Sequence, residues 1–198
     1  MDRRVIKTKN AIKETFFKLL GEKNLNQITV AEVSRRADIG RGTFYLHYSD
    51  VFDLYNSIEH EIYVDIERFI DDAHPSTNPD NLHALVNNAI QYLVEKRDRL
   101  ILLTKPENNG NIRDKLKQLL SEKASKRTDA AESAFFASGV IGIVEEWLTN
   151  GLQVSQTQLS AMLHKILIKF NEVCGNDTFD KPTSTTIYAA ETRTAGQT

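Results

Sequence analysis

The chain has 198 residues, 40% of them hydrophobic and 26% charged, with a formal net charge of −2. That length can bury a sizeable core in one domain or two small ones, and the composition is that of an ordinary globular protein. One cysteine, Cys174, excludes an internal disulfide and fits a reducing compartment. No apolar run nears the roughly 18 residues needed to span a bilayer, so a cytoplasmic protein without a membrane partner is expected. The basic opening MDRRVIKTKN is not followed by an apolar signal-peptide core.

Charge is unevenly distributed. Residues 1–48 carry ten Lys and Arg against five Asp and Glu, while the chain as a whole is slightly acidic. A basic head on an acidic body suits a head that meets a polyanion. Helical periodicity then runs along nearly the whole chain. Residues 7–20 put Ile12, Phe16 and Leu19 on one face, with Leu20 beside them. Thr29-Val-Ala-Glu32 has the spacing of a capping box and predicts a helix ending near Arg36. A turn, Ala37-Asp-Ile-Gly40, leads to a third helix over about 41–47, and Asp50 can cap a long fourth over 51–72. Its buried side is expected to hold Phe52, Tyr55, Ile58, Ile62, Ile66, Phe69 and Ile70. HPSTNPDN, residues 74–81, reads as a break. Further helices are expected over 82–104, 112–126, 130–149 and 157–173, and from Gly175 the composition predicts a mobile tail.

Two short helices joined by a tight turn, the second of them basic, are the parts of a helix-turn-helix. The second must be slim enough to enter a major groove about 12 Å wide, while the first crosses the phosphate backbone. Arg41 can reach guanine or phosphate. Gly42 has no side chain to hold the backbone away from DNA, and Thr43 offers a hydroxyl. Tyr45, His47 and Tyr48 can hydrogen-bond phosphates, whereas Phe44 should turn inward onto Phe16, Ile28 and Val33. The stretch ITVAEVSRRADIGRGTFYLHYSDVFDLY resembles the DNA-binding domain of the TetR family of regulators, over about residues 7–55. The family pattern is roughly T-hydrophobic-x-x-I/V-A-x-x-A-G-V-S-x-G-T-hydrophobic-Y-x-H-F-x-x-K-E-x-L. The resemblance implies that Thr29, Arg41, Thr43, Tyr45, His47 and Tyr48 face double-stranded DNA, and that Ala37 is the close-packed residue of the turn. Three positions depart from the pattern: Asp38 replaces a turn glycine, Gly40 a common serine, and Val51 a lysine that commonly binds phosphate.

In the body, AESAFFASGVIGIVEEWLTNG carries apolar residues at 135, 136, 139, 140, 143, 144, 147 and 148. Leu159, Leu163, Ile166, Phe170 and Val173 follow at gaps of four and three, a heptad seam. Two such helices suit a four-helix interface between two copies of the chain, with Val144, Trp147, Leu148, Leu159, Leu163, Ile166 and Phe170 at the contact. TetR-like proteins usually dimerise in this way. GVIGIVEEWLTNG is also similar to the end of a subgroup near dihydroxyacetone-operon regulators. Tyr63, Phe69, Tyr92, Leu103, Phe135 and Phe136 are candidate walls of a pocket for a small-molecule effector, and also candidate core.

Catalytic patterns are incomplete. His60-Glu61 opens like a zincin helix but lacks the second histidine, and Gly40-Arg-Gly42-Thr43 lacks the lysine and spacing of a phosphate loop. A zinc site from His60 and His164 has no motif behind it, so no enzyme activity, cofactor or metal is expected. The fold expected is all-α: a three-helix helix-turn-helix domain over 1–49, a helical dimerisation and ligand-sensing domain over 50–174, and a tail over 175–198. The function expected is a homodimeric repressor on a palindromic operator, released by an inducer. The alternatives are an activator with a protein co-regulator and a helical interaction module that does not bind DNA.

Overall fold

The computed structural model describes residues 3–72, 79–108, 111–125, 128–149 and 151–176. Among them are nine α-helices and no strand: α1 (Arg3–Glu22), α2 (Val30–Arg36), α3 (Arg41–Tyr45), α4 (Val51–Asp72), α5 (Pro79–Glu95), α6 (Arg97–Leu103), α7 (Ile112–Ala124), α8 (Ala130–Thr149) and α9 (Gln156–Asn176).

Local chemistry sets most of the helix ends. Thr29 Oγ1 accepts from the Glu32 N–H at 3.3 Å and starts α2. The reciprocal half of the capping box is replaced: the Glu32 carboxylate pairs with Lys23 and, at 3.5 Å, with Arg36. α2 stops in a Schellman motif, in which Ile39 N–H donates to Ser34 O at 3.0 Å and Asp38 N–H to Arg35 O at 3.4 Å. Asp38 therefore sits at φ 54°, a left-handed position that favours glycine and that aspartate tolerates better than most side chains. α4 begins with two side-chain caps: Asp53 N–H donates to Asp50 Oδ1 at 2.7 Å, and Ser49 N–H to Asp53 Oδ2 at 2.8 Å. Ser155 and Gln158 cap α9 reciprocally, since Gln158 N–H donates to Ser155 Oγ at 3.2 Å and Ser155 N–H to Gln158 Oε1 at 2.8 Å.

One buried cluster joins the head to the body. It runs from Ile12, Phe16, Val33 and Phe44 through Leu54, Tyr55, Ile58 and Ile62 on α4. It continues to Leu100 and Leu103 on α6, Ile112 on α7 and Leu148 on α8. A second cluster packs Val86 and Ile90 of α5 against Leu159 and Leu163 of α9. Polar ties cross the same seam. The buried Glu59 carboxylate accepts from the N–H groups of Asn111 and Ile112 at 3.1 and 3.2 Å, at the start of α7, and pairs with Lys115 at 3.2 Å. Asn108 accepts from Leu25 N–H in the head at 3.1 Å and donates to Leu102 O at 2.8 Å. Tyr55 donates its hydroxyl to Leu103 O at 2.7 Å, and burial, with Glu59 nearby, pushes its phenol pKa up.

Several expectations are corrected. The helix expected over 82–104 is two, meeting at Lys96 with φ −104° and ψ 6°. No glycine or proline marks that joint. It arises because α5 faces α9 while α6 must turn Leu100 and Leu103 into the main core. Pro79, inside the expected break, opens α5 at the position where a missing N–H costs nothing; residues 73–78, with His74, lie outside the described residues. α9 runs on to Asn176, past the expected end, and the rest of the expected tail, 177–198, also lies outside them. Phe52, expected on the buried side of α4, is exposed, and Val51 and Leu54 are buried instead.

The turn gives a stability test. Asp38→Val should lower unfolding stability by about 1–2 kcal/mol, because a β-branched residue resists the left-handed region, while Asp38→Gly should hold or raise it. Urea denaturation followed by circular dichroism measures both.

Candidate nucleic-acid interface

α3 is oriented by one side chain. Phe44 is 0% exposed, and its ring lies 5.8 Å from that of Tyr48. With 3.6 residues per turn, a residue fixed inward at 44 sends Gly42, Thr43, Tyr45 and Leu46 round the other sides, while Arg41 stands at the open first position of α3. Arg41 and Gly42 are exposed, Tyr45 is 57% exposed, and Thr43 and His47 are half-buried. Thr29 is exposed at the start of α2, its oxygen already engaged by the cap.

Tyr48 departs from the expectation that it faces DNA. It is 4% exposed, its hydroxyl finds no hydrogen-bond partner among the described residues, and burial pushes its phenol up to about 12. Lys9 Nζ lies 5.9 Å from its ring centre. The family pattern itself has phenylalanine at this position, so the register, read strictly, assigns Tyr48 to the core and its hydroxyl to no phosphate.

The basic surplus of the head is also partly spent internally. Lys13 pairs with Glu61, Lys23 with Glu32, and Arg36 with Glu22 at 2.7 Å and with Glu32. Arg41 is not among these pairs and stays exposed. Val51 is buried, so its place at the start of α4 supplies no phosphate contact.

Comparison with known proteins points to one family. A TetR-family model of the transcriptional regulator C-terminal region matches residues 80–169. The helix-turn-helix precedes that match, as the residues of the head required. Over residues 80–169 the chain is similar to TetR-family regulators. An uncharacterized HTH-type transcriptional regulator, YxbF of Bacillus subtilis (strain 168), is 38% identical over 55 residues; the match spans 27% of this chain and 14% of YxbF. NalD, the secondary repressor of the MexAB-OprM multidrug efflux pump in Pseudomonas aeruginosa, aligns with a TM-score of 0.62 at 16% identity, over 84% of this chain and 97% of its own. The dihydroxyacetone kinase operon activator DhaS aligns with a TM-score of 0.59 at 15% identity, over 85% and 96%. At these identities the two structures establish a shared fold. The proteins that the chain resembles are transcriptional regulators, and the curated one is of the helix-turn-helix type.

The body rearranges the expected site residues. Leu159 and Leu163, expected in a seam between two copies, are buried against α5 within one chain, and Leu148 belongs to the main core. Val144 and Trp147 are half-buried on both clusters. Phe170 stacks on Phe136 at 4.1 Å between ring centres, and Ile166 is half-buried. The heptad spacing is thus used largely inside the monomer. The expected pocket walls do not converge either. Leu103 is in the core, Phe69 packs edge-on to Tyr92 at 5.5 Å, Phe136 meets Phe170, and Phe135 is 83% exposed. Tyr63 alone of that set lines a depression of about 280 Å³ between α4 and α7, with His60, Lys115, Gln118, Leu119 and Glu122, none of them singled out for this role by spacing. His60 stacks near Tyr63, and His164 packs beside His83 at 5.0 Å, so the two histidines of the zinc reading sit in different places. No helix among the described residues is long and apolar enough to cross a membrane.

Tyr48→Phe should raise stability by about 1 kcal/mol, since it removes a buried hydroxyl without a partner, and should leave DNA affinity unchanged. Paired denaturation and DNA-binding titrations check the two halves.

Proposed function

We propose that the chain works as a homodimeric repressor that sets two α3 helices into successive major grooves of a palindromic operator and is released by a small-molecule effector. The observation that carries the DNA-facing assignment is the polarity of α3: Phe44 is buried, Gly42 and Tyr45 stand clear of the core on the other sides, and Arg41 is exposed at the helix start. Thr29, Thr43 and His47 flank this face. Two copies about 34–36 Å apart would read half-sites one helical turn apart, each raising the effective concentration of the other.

Dimerisation is supported by what α8 leaves uncovered. The helix is apolar nearly all round, a pattern that calls for burial on every side. Ala131, Phe135, Ser138, Gly139 and Gly142 nevertheless lie along one exposed line. A second copy covering that line would bury Phe135, and the glycines would admit a close helix crossing. On this reading the contact is the outer face of α8 rather than the seam of Leu159 and Leu163. The effector reading is supported by the depression lined by Tyr63 and Lys115, because Lys115 is also the partner of Glu59, which caps α7 from α4. A ligand that took Lys115 would act on the joint between the helix that carries the head and the body.

Arg41→Ala and Tyr45→Ala should each weaken binding to a selected operator by about tenfold while helical content and oligomeric state stay the same. Fluorescence anisotropy with labelled duplexes reads the affinity, and unchanged binding in both variants removes the DNA-facing assignment. A Cβ on Gly142 would meet nothing within 4 Å in the monomer. Gly142→Arg should therefore fold normally and sediment as a monomer; a dimer that survives places the contact elsewhere.

A further inference from the structure

Leu46 is 79% exposed, more than any other large hydrophobic residue described except Phe135. Nothing in the fold requires it there. It belongs neither to the main core nor to the layer of side chains packed on that core. It follows the last residue of α3, yet its backbone stays helical at φ −69° and ψ −16°, and its N–H donates to Gly42 O at 3.1 Å. Gly42 and Leu46 are therefore one turn apart on the same line of the helix. By rotation of about 100° per residue, that line lies roughly opposite Phe44 and forms the outermost ridge of α3.

Its chemistry is unlike that of its surroundings. Arg41, Thr43, Tyr45 and His47 all present hydrogen-bonding groups, and Leu46 is a lone apolar prong among them. Helical side chains lean toward the N-terminus, over the turn before them, which carries Leu46 toward Gly42. Glycine offers no side chain at that point, and a Cβ built there meets nothing within 4 Å. The result is a low ridge of bare backbone with one branched methyl cluster at its end. Glycine inside a helix also costs about 1 kcal/mol relative to alanine, so the fold by itself gives no reason for it.

A major groove offers mostly donors and acceptors. Its one apolar feature is the C5 methyl of thymine. We propose that Leu46 reads a thymine in each half-site by packing on that methyl, and that Gly42 lets the helix come close enough for the contact. The assignment rests on the DNA-binding reading above and adds to it a specificity-determining residue and the base that it selects. Arg41 supplies charge, and its contribution weakens as salt rises, because less is gained by releasing phosphate counterions. Leu46 supplies a contact that salt does not screen.

The test uses the full chain and a duplex selected by it from random sequence. Each thymine of the half-site is replaced in turn by deoxyuridine, which deletes only the methyl. One position per half-site is expected to lose about three- to fivefold in affinity for the wild type, and Leu46→Ala is expected to bind the thymine and deoxyuridine duplexes equally there. If the wild type selects a defined site but no deoxyuridine weakens it, Leu46 is not a methyl reader and the DNA-binding reading stands. The methyl-reading role is equally overturned if Leu46→Ala remains as sensitive to the methyl as the wild type. If no defined site is selected at all, the DNA-binding reading itself fails. Leu46 is so exposed that its replacement should leave the thermal unfolding midpoint unchanged, and that measurement accompanies the titrations.

Discussion

The burial of Phe44 is the constraint on which the rest of the head depends. A five-residue helix cannot stabilise itself, because nucleation costs more than so few internal hydrogen bonds return. α3 exists because Phe44 closes a core that already contains Ile12, Phe16, Ile28 and Val33. The same burial orients the helix, since once one side chain is fixed inward the other sides are set by rotation alone. The functional surface is in this sense the remainder left by packing. Tyr48 belongs to the packed side and Leu46 to the open side, although both are next to His47 in the chain.

This explains what can be read from the residues and what cannot. α1 and α8 are legible because their apolar spacing and end signals are local, and the third helix is placed nearly to its ends. The caps at Thr29 and Asp50 are legible for the same reason. The head is legible as a constellation of small, aromatic and polar positions in register. Individual directions are not. Tyr48 has a polar tip that suggests an outward role, but its position in the register is a core position. Leu46 has no polar group, so its residue type suggests burial, and only its exposure points to a role. The heptad of Leu159, Leu163, Ile166 and Phe170 is a real apolar stripe, but periodicity states that a stripe is buried and not what covers it. Here α5 covers much of it. The joint at Lys96 carries no turn residue, because two helices facing different neighbours produce it.

The charge of the head shows a similar difference between composition and surface. Ten basic residues suggest a broad cationic face. Lys13, Lys23 and Arg36 are instead held by carboxylates, one of them, Glu61, reaching from α4. Ion pairs that reach solvent in this way add little stability, but they narrow the positive surface that faces outward and leave Arg41 prominent on it.

α4 has 22 residues and packs into the main core along its first half, from Leu54 beside the head to Ile62 beside the body. At 1.5 Å per residue it is about 33 Å long. Glu59 fastens it to the start of α7, and Asn108 fastens the segment before α7 to the head. Such a strut has no slack. A tilt of about 5° about one end would sweep the other through about 3 Å, comparable with the separation of adjacent base pairs, so a small displacement deep in the body would arrive at the grooves as a misalignment of a whole step.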